Sequence, residues 1–102
     1  MRFDYYQEEA MKFRLKTADE QYVLLNLVGE VGELYSKLAK SIRDGSVVTT
    51  EDVQKEIGDI LWMLAALCHD EGVTLGDCAY KNIRKLDSRS SRGVIMGNGD
   101  ER

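Results

Sequence analysis

Apolar residues recur along most of the chain at intervals of three and four, the spacing that places them on one face of an α-helix. No segment shows the strict alternation of apolar and polar residues that is typical of a half-buried strand. The chain also lacks proline and uses many residues that favour helices. The pattern therefore predicts an all-α protein.

Capping signals divide this pattern into four helices. They are predicted to run from about Asp4 to Leu15, from a capping box at residues 17–20 to Gly45, from Thr49 or Thr50 to Glu71, and from a capped start at residues 74–77 to about Asp87. Residues 88–102 contain a serine pair and several glycines, so they are predicted to form an extended tail. The whole chain, residues 1–102, is expected to be a single domain.

The third helix is more apolar than a helix with one buried face should be. Trp62 lies about 180° from Val53 on a helical wheel, on the side that should be solvated. We therefore expect oligomerisation to cover the back of the third helix and complete the helical bundle, as a homodimer or a homotetramer. The second helix has one apolar stripe, predicted to consist of Leu24, Leu27, Val28, Val31, Leu34 or Tyr35, Leu38 and Ile42.

Composition excludes several classes of protein. A net charge of -4 argues against a general nucleic-acid-binding protein, which needs a positive excess. The longest apolar run, residues 60–68, is far shorter than the ~20 residues that span a bilayer, and the N-terminus does not resemble a signal peptide. Cys68 and Cys78 have no metal-ligand spacing and are interpreted as reduced thiols. These features predict a cytoplasmic protein without nucleic-acid or membrane partners.

Two pairs of carboxylates stand within apolar sequence. Glu30 and Glu33 are three residues apart on the second helix, and Glu56 and Asp59 are three apart on the third. Keeping four carboxylates charged in apolar surroundings is costly unless a cation offsets them. An all-carboxylate set favours a hard divalent cation, magnesium with manganese as a substitute. A basic stretch at residues 81–92 follows, and a metal beside basic residues points to phosphate chemistry.

The short connection between the second and third helices predicts an antiparallel hairpin. At 1.5 Å per residue, Glu33 lies roughly 15 Å before the turn and Glu56 roughly 9 Å after it. The acidic pairs therefore differ in height by about one helical turn and can face each other. A solvated charged face is the alternative, because Glu33 lies almost opposite the predicted apolar stripe.

The acidic pairs and their surroundings match a known family. Residues 29–34 (GEVGEL) and 56–62 (EIGDILW) resemble the ExxE…ExxD signature of the MazG-type all-α nucleoside triphosphate pyrophosphohydrolases. The similarity continues through residues 82–89 and into residues 92–100, a tail like that of short single-domain MazG-like proteins of bacteria and phages. Four ordered blocks are far more specific than one ExxE motif.

The resemblance implies magnesium-dependent hydrolysis of a (deoxy)nucleoside triphosphate to the monophosphate and pyrophosphate, by attack of metal-activated water at the α-phosphorus. The metal ligands that it implies are Glu30, Glu33, Glu56 and Asp59. The candidate contacts to the triphosphate are Asn82, Lys85, Arg89 and, from the tail, Arg92. The candidates for the catalytic base are Glu33, which we favour, Glu30 and Glu56. The chain departs from some relatives at Lys55, where they carry a further carboxylate.

Two other functions also fit the sequence. The chain could be a non-enzymatic helical adaptor that retains the fold, although an adaptor has no need of both the acidic and the basic set. It could also be a metal-dependent phosphohydrolase that acts on another nucleotide, such as an alarmone. Tyr5, Tyr6 and Gln7 of the first helix are candidate contacts to a base.

Overall fold

The computed structural model describes residues 1–102, which form four helices and no β-strand. The helices are α1 (Phe3–Met11), α2 (Glu20–Asp44), α3 (Thr50–Asp70) and α4 (Leu75–Ser91). The predicted all-α class is confirmed. No helix meets the combined length and apolarity that a membrane crossing requires.

Three of the predicted helix boundaries are confirmed by their caps. At the start of α3 the Thr49 hydroxyl accepts a hydrogen bond from the Asp52 amide at 3.1 Å, and the Asp52 carboxylate accepts one from the Thr49 amide at 3.4 Å. At the start of α4 the Thr74 hydroxyl accepts the Asp77 amide at 3.0 Å. Gly45 ends α2 with a φ of 67°, a left-handed conformation that suits glycine.

Two boundaries near the N-terminus differ from the prediction. The second helix is capped by Asp19, whose carboxylate accepts the Tyr22 amide at 2.9 Å, and not by the predicted box at Thr17. The first helix ends at Met11 rather than Leu15, because the amides that follow bond to carbonyls only three residues back and form turns.

The last helix is about one turn longer than predicted. It continues past Asp87 to Ser91, because the serine pair keeps helical hydrogen bonds and only Gly93, with a φ of 71°, ends the helix. The Val94 amide then bonds to the Arg89 carbonyl at 2.8 Å, which caps the helix.

The remaining tail is folded rather than extended, which corrects the prediction for residues 88–102. The guanidinium of Arg102 donates hydrogen bonds to the carbonyls of Val94, Ile95 and Gly99, at 3.0, 2.9 and 2.7 Å. These bonds close residues 94–102 into a loop that returns to α4.

The core lies along α3, which packs between α2 and α1. Its two buried clusters consist of Val23, Met63 and Ala66, and of Ala65, Cys68 and Leu75. Trp62 packs against the first cluster, and its indole Nε1 donates to the Ala10 carbonyl of α1 at 3.1 Å. The inference that Trp62 needs a partner chain was wrong. The third helix is apolar on two sides because α1 and α2 of the same chain pack against both.

The apolar stripe predicted for α2 is only partly buried. Its half-buried members are Leu27, Val31 and Leu34, whereas Leu24, Val28, Tyr35, Leu38 and Ile42 are exposed. Val23, outside the predicted stripe, is the residue of α2 that is fully buried. The helix is therefore rotated relative to the expectation, so that a mixed apolar and acidic face meets α3. Oligomerisation stays a prediction.

Two polar contacts fix the ends of the helices. The buried amide of Gln7 donates to the Val73 carbonyl at 3.0 Å and accepts the Leu75 amide at 2.7 Å, so α1 holds the α3–α4 loop. Arg14 binds Asp70 through two parallel hydrogen bonds of 2.7 and 2.9 Å. Since the side chain is buried and its oxygen and nitrogen both bond inside the fold, Gln7 is not placed to contact a base.

Candidate active site

Three of the four predicted carboxylates meet between α2 and α3. Glu30 and Glu33 project from successive turns of α2, and Glu56 projects from α3 towards them. Each offers a carboxylate oxygen, and these oxygens all lie within 4.8 Å of one another. The predicted antiparallel register therefore brings the two motifs together, and such a set could hold a metal ion.

The three carboxylates are unequal in burial and in hydrogen bonding. Glu56 is only 4% exposed, Glu30 is half-buried and Glu33 is exposed. One oxygen of Glu30 accepts a hydrogen bond from the Asn26 amide at 3.3 Å, and one oxygen of Glu56 lies 2.7 Å from the Lys37 ammonium. The other oxygen of each, Oε2, is buried and has no partner. Two unpaired buried carboxylate oxygens are costly, and a bound cation would satisfy them.

The charges of the cluster act on one another. Burial, followed by the negative charges of Asp59 and Glu33, raises the pKa of Glu30 above its ordinary value of 4.5. The bond to Glu56 raises the pKa of Lys37, since the ammonium is favoured beside a carboxylate. The cluster therefore favours positive charge, seen in the raised pKa of Glu30 and in the Lys37 ammonium that it holds.

Asp59, the fourth predicted ligand, lies beside the cluster but is not one of the three clustered carboxylates. It is exposed, and its charge acts both on Glu30 and on Tyr6 of α1, whose pKa is raised by burial and by this charge. Asp59 therefore lies within electrostatic range of both the carboxylate cluster and α1. Lys55 points elsewhere, because it pairs with Glu51 on the surface at 3.7 Å.

Two of the predicted triphosphate contacts, Lys85 and Arg89, lie on α4 and are engaged by the tail. Arg89 is 5% exposed, and its Nη2 donates to the Asp100 carbonyl at 2.8 Å and approaches the Asp100 carboxylate at 3.4 Å. The Lys85 ammonium lies 3.3 Å from the same carboxylate. The Nε of Arg89 is buried without a partner. The carboxylate of Asp100 therefore already binds both cations, Lys85 and Arg89.

The other two predicted contacts differ in setting. Asn82 is exposed and lines a surface pocket of about 360 Å³ together with Lys85. Arg92 donates to the Ser88 hydroxyl and to the Arg102 carbonyl, at 3.1 and 2.6 Å, and so belongs to the tail loop. Within one chain α4 contacts α1 and α3 but not α2, so the basic set does not meet the whole acidic cluster.

Comparison with known families gives the decisive observation. Residues 18–94, which include the acidic cluster and the whole of α4, match the MazG nucleotide pyrophosphohydrolase domain. The chain belongs to the MazG nucleotide pyrophosphohydrolase family. The resemblance seen in the sequence is thereby confirmed, and the acidic cluster lies within the matched residues.

The chain is also similar to the Gene 37 protein of Mycobacterium phage L5, with 44% identity over 85 residues. That alignment covers 79% of this chain and 75% of the phage protein, whose name states no activity. No solved structure matches the chain significantly.

Two residues of this candidate site did not emerge from the sequence. Asn26 and Lys37 each lie four residues from a motif glutamate on α2, and each bonds to a glutamate of the cluster. The four-residue spacing is a usable signal, since it places Asn26 above Glu30 and Lys37 below Glu33 on one face of the helix. The contact of Asp100 with α4 depends on the tail loop and has no local signature.

Proposed function

We propose that this chain is a metal-dependent nucleoside triphosphate pyrophosphohydrolase that converts (deoxy)nucleoside triphosphates to the monophosphate and pyrophosphate. The observation that carries the proposal is that Glu30 and Glu56, whose carboxylates approach each other and Glu33 between α2 and α3, each keep one buried oxygen without a partner. In a MazG-family chain, such a pair is best explained as part of a metal site.

The donor set fits a hard divalent cation, for which we propose magnesium, with manganese as a substitute. All donors are carboxylate oxygens, and the cluster contains neither histidine nor cysteine. Glu30 and Glu56 would hold the metal through their unpartnered oxygens, with Glu33 completing the group. Asp59 is the proposed fourth ligand, since its charge already acts on Glu30.

The metal, when bound, supplies a Lewis acid for phosphate oxygens and makes water more acidic. In the reaction, a water oxygen forms a bond to the α-phosphorus while the bond from this phosphorus to the bridging oxygen breaks, which releases pyrophosphate. We assign the proton of the attacking water to Glu33. It is the exposed carboxylate of the three, whereas Glu30 and Glu56 each commit one oxygen to Asn26 or Lys37.

We propose that Lys85 and Arg89 bind the triphosphate and that Asn82 and Arg92 contact it from either side of this pair. Both cations already bind the carboxylate of Asp100, and Arg89 keeps one buried donor, Nε, without a partner. A phosphate carries the same sign of charge as this carboxylate and accepts more hydrogen bonds. Substrate binding on α4 would therefore replace Asp100 on these two side chains.

We also propose that the working form is a homodimer or homotetramer. The exposed apolar residues of α2 are available for contact with a second copy, and α4 does not reach α2 within one chain. Assembly would cover these apolar residues of α2, and it would bring the basic residues of α4 beside the acidic cluster. A cytoplasmic location, where nucleotide substrates are made and used, is part of the same proposal.

Product analysis with a panel of eight nucleoside triphosphates and one alarmone tests the function. With millimolar magnesium we expect pyrophosphate and a monophosphate from at least one triphosphate, and no turnover in excess EDTA. Glu30→Gln should reduce kcat by about 100-fold or more, since it replaces a negatively charged metal ligand with a neutral amide. Glu20→Gln, an exposed position on the same helix, is the control and should keep wild-type turnover.

Other products would contradict the proposal in distinct ways. Inorganic phosphate with a diphosphate would mean attack at the γ-phosphorus. Turnover of the alarmone alone would reassign the substrate. A folded protein that binds magnesium but hydrolyses nothing on the panel would favour an adaptor role.

A further inference from the structure

One charged group at the site has no role in the proposed reaction. Lys37 follows Glu33 by one turn of α2, and its ammonium lies 2.7 Å from Oε1 of Glu56. Glu56 is nearly fully buried, whereas the Lys37 side chain remains 43% exposed. The lysine therefore reaches from solvent into the carboxylate cluster.

The ammonium compensates the cluster only in part. Three carboxylates approach within 4.8 Å, and Lys37 contributes one positive charge against them. It binds a single oxygen, and the Oε2 atoms of Glu30 and Glu56 stay unpartnered. A divalent cation carries twice the charge and can bind several carboxylates at once, so it is the stronger ligand for the same oxygens.

An ammonium group and a divalent cation cannot both bind the Glu56 carboxylate without repelling each other at a few ångströms. The released side chain has a place to go. A surface pocket of about 270 Å³ lies beside it, lined by Lys37 itself, Lys40 and Asp52 among others. The charges of Asp52 and Glu33 already act on Lys37, so the ammonium keeps favourable surroundings after it leaves Glu56.

We propose that Lys37 is a tethered counter-ion of the metal-free protein, which a divalent cation displaces from Glu56. The inference rests on the metal site of the proposed function. Lys37 is a positioning residue: it holds Glu56 in the cluster until the metal arrives, and it touches no reacting atom.

This role predicts opposite effects on two measurable properties. Lys37→Gln keeps a donor for Glu56 but removes the charge. The metal-free variant should melt about 5 °C lower than wild type, because the buried carboxylate loses its counter-ion. Its magnesium affinity should rise on the order of tenfold, because one competing charge is gone from a partly screened site. A lysine that merely stabilises the fold would lower the melting temperature without tightening magnesium.

The first experiment is isothermal titration calorimetry with magnesium chloride alone, without nucleotide, on three full-length proteins. They are the wild type, Lys37→Gln, and Lys40→Gln as the matched control, since Lys40 lines the same pocket but bonds to no carboxylate. We expect Lys40→Gln to keep the wild-type affinity.

The second experiment uses the wild type only and so does not depend on a variant that folds. Brief acetylation by acetic anhydride, read by peptide mass spectrometry, reports how free each lysine ammonium is. Magnesium should raise the labelling of Lys37 several-fold relative to the metal-free protein, because the ammonium leaves Glu56. Labelling of Lys40 should be unchanged.

The outcomes separate this inference from the proposed function. If the wild type binds no magnesium, the metal site itself is wrong. If it binds magnesium while Lys37→Gln binds equally or more weakly, or if Lys37 labelling does not rise, the displacement of Lys37 is wrong and the metal site stands.

Discussion

Glu30 illustrates how one side chain can be poorly placed for the metal-free fold and well placed for function. It is half-buried, one of its oxygens has no partner, and Asp59 and Glu33 add like charges. A single neutral donor, the Asn26 amide, opposes these costs. In the metal-dependent reaction that we propose, a bound cation would offset these costs.

The raised pKa of Glu30 gives a prediction for stability against pH. The folded protein binds a proton at Glu30 more tightly than the unfolded chain, whose value is near 4.5. As the pH falls from 7 towards 5, the metal-free folded state takes up this proton first, so its free energy of unfolding should rise. Urea unfolding in EDTA at the two pH values, for wild type and Glu30→Gln, measures the effect as the difference between the two proteins.

Carboxyl groups with a lowered pKa do not change the free energy of unfolding in this pH interval. Asp52 and Asp70, held charged by Thr49 and Arg14 respectively, lose their stabilising contribution only as the pH falls towards and below 3.8. Glu20→Gln serves as the control and should follow the wild type. An identical pH dependence in wild type and Glu30→Gln would contradict the environment described for Glu30.

At the same scale, the sequence predicted the acidic residues but not their partners. Glu30, Glu33 and Glu56 were found because a three-residue spacing defines one face of a helix whatever surrounds it. Lys37 and Asn26 were missed because exposed-looking polar residues on a charged helix are common. Their importance arises from proximity to α3, which the pattern along α2 does not reveal.

Among the helices, starts and stops were easier to predict than faces. Thr49, Thr74 and Gly45 act through hydrogen bonds and backbone angles within a few residues, so their sequence signals are local. The rotation of α2 was predicted wrongly because a helical wheel identifies the most apolar face, not the face that meets a given neighbour. The most apolar side of α2 points away from α3 and includes Val28, which is 73% exposed.

The contact between α1 and the start of α4 includes one buried amide, that of Gln7, which supplies a prediction about stability. Gln7→Ala removes bonds to the Val73 carbonyl and the Leu75 amide and leaves both groups without their partner. The free energy of unfolding should fall by about 2 kcal/mol, the typical cost of unsatisfied buried groups. Urea unfolding at fixed protein concentration measures it.

Gln54→Ala is the matched control, since Gln54 is exposed on α3 and should change stability by less than about 0.5 kcal/mol. Equal stability of the two variants would mean that the amide of Gln7 does not hold the loop.

The whole chain is more open than a protein of its length normally is. Its radius of gyration is 16.7 Å, whereas a compact domain of this size has about 13 Å. Eleven of its 102 residues are buried. Much of α2 and most of α4 therefore project from the centre. This openness could not be predicted from the sequence. The apolar pattern indicated an excess of apolar surface, but we assigned that surface to Trp62 on α3, and the structure exposes it on α2.

The exposed face of α2 leads to the last prediction. Val28 stands near its middle, with Leu25 and Tyr35, 70% and 66% exposed, on either side along the helix. Apolar side chains clustered on one helix face are normally covered by a partner, and a second copy is always available to the chain. Light scattering at micromolar concentration should therefore report two or four times the 11.6 kDa chain mass. Val28→Glu should shift it towards the monomer, because a buried unpaired charge is costly.

The control separates loss of the interface from a general effect of added charge. Gln21→Glu places the same new carboxylate on α2 at an exposed polar position, and it should keep the wild-type mass. If the assembly also brings the basic residues of α4 beside the acidic cluster, Val28→Glu should lose pyrophosphate release together with its oligomeric state, while Gln21→Glu loses neither. A wild type that scatters as a stable monomer would contradict the assembly. A dissociated Val28→Glu that retains full turnover would show that one chain can close its own site, with α4 moving to the cluster once substrate has replaced Asp100.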